Sequence, residues 1–128
     1  MSRRLQSALV VAVVILAALA VWLAAAPPRW WLDLTRPAPA GDLVAAGQTL
    51  VDDQGCRACH RLGGQGARLA SDLAGVTRRL GPEALRGWLT DPRAMQPGVT
   101  MPNPRLSQPE IEAILAYLDA LDAVTPAP

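Results

Sequence analysis

The chain is 128 residues long, enough for one small domain and an added segment. Its 12 basic residues, all arginine, face 11 acids, and setting aside Arg3 and Arg4 leaves 10 − 11 = −1 for the remainder. That balance excludes a basic face for nucleic acid.

From Ala8 to Ala26 no charged or strongly polar residue interrupts the chain. As a helix this stretch rises roughly 28 Å, close to the hydrocarbon thickness of a bilayer. Residues 1–26 are therefore expected to form one transmembrane anchor. Arg3 and Arg4 precede it, which puts the N-terminus in the cytoplasm and the rest outside. Trp22, Trp30 and Trp31 bracket the far end, where amphipathic rings favour the headgroup level. A cleaved signal peptide is the rival reading. Ala24-Ala25-Ala26 resembles a cleavage site, but the apolar core exceeds the usual ~7–15 residues and Pro27-Pro28 follows directly. Residues 27–40 hold Pro27, Pro28, Pro37 and Pro39 and show no periodicity. They are expected to be a stiff, extended tether reaching roughly 40 Å.

The head, residues 41–123, has no Phe, and beyond Trp31 only Trp88 and Tyr117 are aromatic. So small a domain is hard to stabilise on side chains alone. Gly41-Asp42 opens a first helix with Leu43, Ala46, Leu50 and Val51 at helical spacing, ending before Gly55. Cys56-Arg57-Ala58-Cys59-His60 follows, a CxxCH box, and it contains both cysteines and the one histidine of the chain. Two thiols at this spacing can each add to a vinyl group of one haem, and the adjacent histidine then lies under the iron. Zinc wants four N or S ligands, and no second Cys or His pair exists here. A thioredoxin-type redox pair wants a βαβ context, whereas the pattern around the box is helical.

After the box, Gly63, Gly64 and Gly66 predict an irregular loop leading to Leu69 and Leu73. A second helix is expected from Pro82, with Leu85, Trp88 and Leu89 on one face, stopping at Asp91-Pro92. The loop Gln96–Pro102 carries Met101. A thioether there can supply a second axial ligand and raise the reduction potential. Met95 is the competing candidate, but it follows the helix end closely and has less chain to reach across a haem. Ser107-Gln108-Pro109-Glu110 is a capping box. It starts a last helix with Ile111, Ile114, Leu115, Leu118 and Leu121 inside and Glu112, Asp119 and Asp122 outside. No segment alternates with period two, so the head is all-α; residues 124–128 are expected to be a frayed, disordered tail.

Gly47, the CxxCH box, Asp72-Leu73, Trp88-Leu89, Asp91-Pro92, Thr100-Met101-Pro102 and Ala116–Leu121 together resemble class I cytochrome c. The resemblance covers about residues 41–123. The stretch Leu89–Leu121 is similar to the cytochrome c domain fused to subunit II of some haem–copper oxidases. The resemblance implies one covalent haem c on Cys56 and Cys59, with His60 and Met101 as axial iron ligands. It also implies a haem propionate contact from the Trp88 indole, for which ordinary core packing is the plain alternative, and a crossing of the first and last helices at Gly47 and Tyr117. Two positions depart from the family pattern. Ser71 stands where a proline often offers its carbonyl to the axial histidine, and Leu50 stands where an aromatic is common. No copper-binding Cys and His set is present, so the chain is not itself an oxidase subunit II.

These features together point to a membrane-anchored monohaem electron carrier of a bacterial respiratory chain, with no catalytic residues, no small-molecule substrate and no nucleic acid. The expected partner is a haem–copper terminal oxidase, which the chain serves or belongs to. A haem c subunit of a nitric oxide reductase is the alternative, and a haem sensor or peroxidase-like enzyme a more distant one. The haem domain is expected on the periplasmic side of the cytoplasmic membrane. Arg57, Arg61 and Arg68 are expected near the exposed haem edge, with Asp52 and Asp53 of opposite sign.

Overall fold

The computed structural model describes residues 3–124; of the tail expected at 124–128, Val124 belongs to the last helix and the others lie outside the described residues. Its elements are α-helices joined by loops and one 3-10 turn, with no strand among the described residues and a single isolated bridge between Leu62 and Gln65. The all-α expectation holds.

Helix α1 (Arg3–Ala25) has no buried residue, and by length and composition it is able to cross a membrane. The segment after it departs from the extended tether expected there. Arg29–Thr35 forms a helix, α2, entered from Pro28 at φ −66°. Proline's fixed φ suits a helix start, and Leu32, 4 % exposed, gives α2 an apolar contact that proline counting could not anticipate.

Helix α3 (Leu43–Asp53) begins where Asp42 accepts a hydrogen bond from the Val44 backbone N–H at 2.9 Å. Gly47 and Val51 are buried, and Val44 and Leu50 pack against the core. Leu43, expected on the inner face, is exposed, so the inner stripe runs through Val44 instead. Helix α4 (Val76–Thr90) contains a break at Gly81 (φ 75°, ψ 165°) followed by Pro82. The expected helix from Pro82 is its second half; the first half, Val76–Leu80, was not expected. A short α5 (Pro92–Met95) is capped by Asp91, which accepts from the Arg93 and Ala94 N–H groups.

Helix α6 (Gln108–Val124) is the spine of the head. Its capping box forms: the Ser107 N–H donates to Glu110 Oε2 at 2.8 Å, and the Glu110 N–H to Ser107 Oγ at 3.4 Å. Ile111, Ile114, Leu115 and Leu118 are buried as the spacing predicts. Asp122, expected outside, is instead buried. Its carboxylate accepts from the Gly75 and Thr77 N–H groups at 2.7 and 2.9 Å and from Thr77 Oγ1 at 2.7 Å. Gly75 begins α4 without a side chain of its own to cap it, and Asp122 closes those donors from across the domain.

Helices α3 and α6 cross at Gly47. A Cβ at that position would run into the Ala113 carbonyl and come within 2.8 Å of Tyr117 Cβ. The missing side chain is what lets the backbones close, as expected for Gly47 and Tyr117.

Candidate functional site

The box folds as a single 3-10 turn, Cys56–Ala58, entered through Gly55 in the left-handed region at φ 67°. The His60 N–H donates to the Cys56 carbonyl at 2.9 Å, closing the turn. Cys56 is half-buried against the core and Cys59 is exposed. Burial pushes the Cys56 thiol above its ordinary range, and the small opposing effects of its own backbone and Arg57 do not reverse this. A thiol–disulfide catalyst needs the opposite, a stabilised thiolate.

The chain then wraps back over this turn. Ala67 N–H donates to the Arg57 carbonyl at 2.9 Å, and the Leu69 and Ala70 N–H groups converge on the Cys59 carbonyl at 3.0 and 2.9 Å. Gly66, at φ 108°, is required at the closest approach, because a Cβ there would collide with the His60 carbonyl. The wrap delivers Ser71 to His60, whose Nδ1 lies 2.8 Å from the Ser71 carbonyl. A carbonyl only accepts, so Nδ1 carries a proton, and in the neutral ring the lone pair is then on Nε2. This is the tautomer an axial iron ligand needs, with its ring orientation fixed by the second nitrogen. The role expected of a proline is therefore met by serine through its backbone.

Arg57 has a structural task. Nε contacts Asp52 Oδ1 at 3.0 Å, Nη1 donates to the Leu62 carbonyl at 2.8 Å, and Nη2 donates to the Tyr117 hydroxyl at 2.6 Å. It ties the box to α3, to the loop and to α6, and is not a free charge for a partner. Arg57, expected with Arg61 and Arg68 near the haem edge, is held by a buried tyrosine 60 residues away, a pairing that leaves no local signal.

Met101 is half-buried in the loop after α5, which turns through Gly98 at φ 81°. The Met95 sulfur packs over Gly87 of α4, where an added Cβ would meet it at 2.5 Å. Trp88 is half-buried on α4. Leu69 stays 81 % exposed and Leu80 is exposed too, apolar side chains that the protein core does not take up. Among the described residues no three His, Cys, Asp or Glu side chains converge, so a multi-ligand zinc site has no donors. The donor set fits a haem: two thiols on one turn, a histidine in the ligating tautomer and a thioether in a stiff loop.

A helical head built on such a turn defines a c-type haem protein. The sequence profile of cytochrome c matches residues 44–122, more than half of the chain, and the chain belongs to the cytochrome c family. As a member it carries covalently bound haem c and transfers electrons. Among its relatives, cytochrome c oxidase subunit 2 of Alkalihalophilus pseudofirmus (strain ATCC BAA-2126 / JCM 17055 / OF4) is 28% identical over 92 residues, covering 65% of this chain and 27% of the relative. Cytochrome c oxidase subunit 2 of Bacillus subtilis (strain 168) is 31% identical over 97 residues, covering 64% and 27% respectively. The chain thus spans about a quarter of the length of the curated relatives it matches.

Proposed function

We propose that this cytochrome is a membrane-anchored, single-haem electron carrier of a respiratory chain that delivers electrons to a haem–copper terminal oxidase, or serves as a subunit of one. The observation that carries the site assignment is the His60 Nδ1–Ser71 carbonyl hydrogen bond, which leaves Nε2 as the ligating atom. In this reading Cys56 and Cys59 would hold the haem through their sulfurs, His60 Nε2 and Met101 Sδ would bind its iron, and the Trp88 indole would meet a propionate. The bound haem supplies a one-electron iron couple. The chain's own residues would hold it in place: the 3-10 turn positions both sulfurs, the Ser71 carbonyl orients the imidazole, and Pro97 and Pro102 stiffen the loop that carries Met101, so a weak thioether ligand is held at small entropic cost. With its one histidine committed to iron, the head offers no general acid or base of the usual kind, which favours carriage over catalysis. The oxidase partner is favoured by the names of the two relatives.

Replacing Met101 by Ala should lower the reduction potential and remove the weak red charge-transfer band of the ferric protein, while Met95→Ala leaves both nearly intact. Swapped outcomes would overturn the ligand assignment. For the partner, the reduced protein is mixed with candidate complexes in reconstituted membranes. Rapid oxidation by a haem–copper oxygen reductase is expected; oxidation only by a nitric oxide reductase would transfer the assignment there.

A further inference from the structure

Helix α2 has two dissimilar faces. Leu32 and Arg36 lie one turn apart on the side that meets the head. Leu32 lines a cleft of about 260 Å³ together with Ala26, Thr90, Asn103 and Leu106. Asp33 Oδ1 accepts from the N–H of Gln108, the first residue of α6, at 2.7 Å. Arg36 donates to the Arg105 carbonyl at 3.2 Å and pairs with Glu110 at 3.5 Å. Arg105, held at φ 51°, sends its guanidinium to the carbonyl of Ala25, the last residue of α1. The gripped segment, residues 103–108, is the direct continuation of the Met101 loop.

The other face is apolar and uncovered. Trp30 and Leu34, also one turn apart, are 62% and 73% exposed. They lie two residues from Leu32 and Arg36, about 200° round the helix. Trp31 stacks edge-on against Trp30 at 5.8 Å between ring centroids. This aromatic face begins five residues after the end of an apolar helix that has no buried residue, where amphipathic rings settle at the headgroup level.

We propose that α2 is a brace lying in the headgroup layer of the bilayer, its Trp30/Leu34 face against lipid and its Leu32/Asp33/Arg36 face on the head, holding the haem domain in one fixed orientation. The proposal rests on the reading of α1 as a membrane span. The test uses the full-length haem-loaded protein, reconstituted alone in phosphatidylcholine–phosphatidylglycerol bilayers and layered as oriented films. The ferric haem electron paramagnetic resonance signal should change with the angle between the field and the film normal. The doubly substituted Trp30→Ser, Leu34→Ser protein and Arg36→Ala should each weaken that dependence at least twofold while leaving the haem absorption spectrum unaltered. Leu32→Asp should abolish it; should that variant fail to fold, Arg36→Ala carries the head-side test. An isotropic signal from the natural protein would overturn the brace, leaving a swinging tether. Full angular dependence in the Trp30/Leu34 variant would overturn lipid as the occupant, as would order that returns only when a second membrane protein is added. Release of the protein from vesicles by alkaline carbonate would overturn the membrane span, and the brace with it.

Discussion

The carboxylate of Asp122 sits at the start of α4 with three donors on its two oxygens, and Arg78 donates to its carbonyl at 2.6 Å. Burial pushes this carboxyl up, but the Thr77 side chain and backbone, the Gly75 N–H and the Arg78 charge outweigh burial and hold it below the usual range. In the unfolded chain an aspartate titrates near 4. Asp122 therefore adds stability above about pH 4, and that contribution is lost as pH falls through its depressed folded value. Asp122→Asn should destabilise the haem-loaded protein by roughly 1–3 kcal/mol at neutral pH, since its amide turns a donor toward donors. The deficit relative to the natural protein should shrink below about pH 4. Urea midpoints of both proteins at the two pH values check this, and an equal deficit at both would show that the charge is irrelevant. Helical periodicity placed Asp122 outside because it reports only on a residue's own helix. The donors that bury it lie 47 and 45 residues away, at a helix start that lacks a cap of its own. The box was legible for the opposite reason, since Cys56, Cys59 and His60 are local in sequence.

At the scale of elements, the α3–α6 crossing depends on one absent methyl group. Gly47→Ala gains about 1 kcal/mol of helix propensity but drives a Cβ into the Ala113 carbonyl, which is backbone and cannot swing aside. Overpacking of this kind costs typically ~1–3 kcal/mol. The melting temperature of the variant should fall by several degrees; a rise would mean that the helices separate freely. Helices with caps written beside them were readable: α3 from Asp42, and α6 from Ser107 and Glu110. The first turns of α4 were not, because Gly81-Pro82 reads as a beginning when it is an interior break. Nor was α2, in which a burst of prolines concealed a short helix stabilised by tertiary contact rather than propensity.

For the whole molecule, the anchoring reading makes a simple demand. Intact mass of the membrane-extracted protein should equal the full chain plus one haem; a mature chain beginning near Pro27 would show that α1 is a removed leader. The layout of apolar stretch, box, Met loop and last helix was legible because each carries a local signature, whereas the clasp between α2 and the head joins residues 75 positions apart and left none. Distance along the chain matters in one more respect, the order in which the head can assemble. Arg57 reaches Tyr117 across 60 residues, and Gly47 rests on Ala113 and Tyr117. Closing so long a loop costs only about 0.6 kcal/mol more than closing one half as long, but the cost precedes any contact that repays it. Until residues beyond 107 have emerged, α3 lacks the helix that it crosses at Gly47, and the box turn has no tyrosine to hold its arginine. The N-terminal third of the head therefore gains its main packing only once the C-terminal helix has been made.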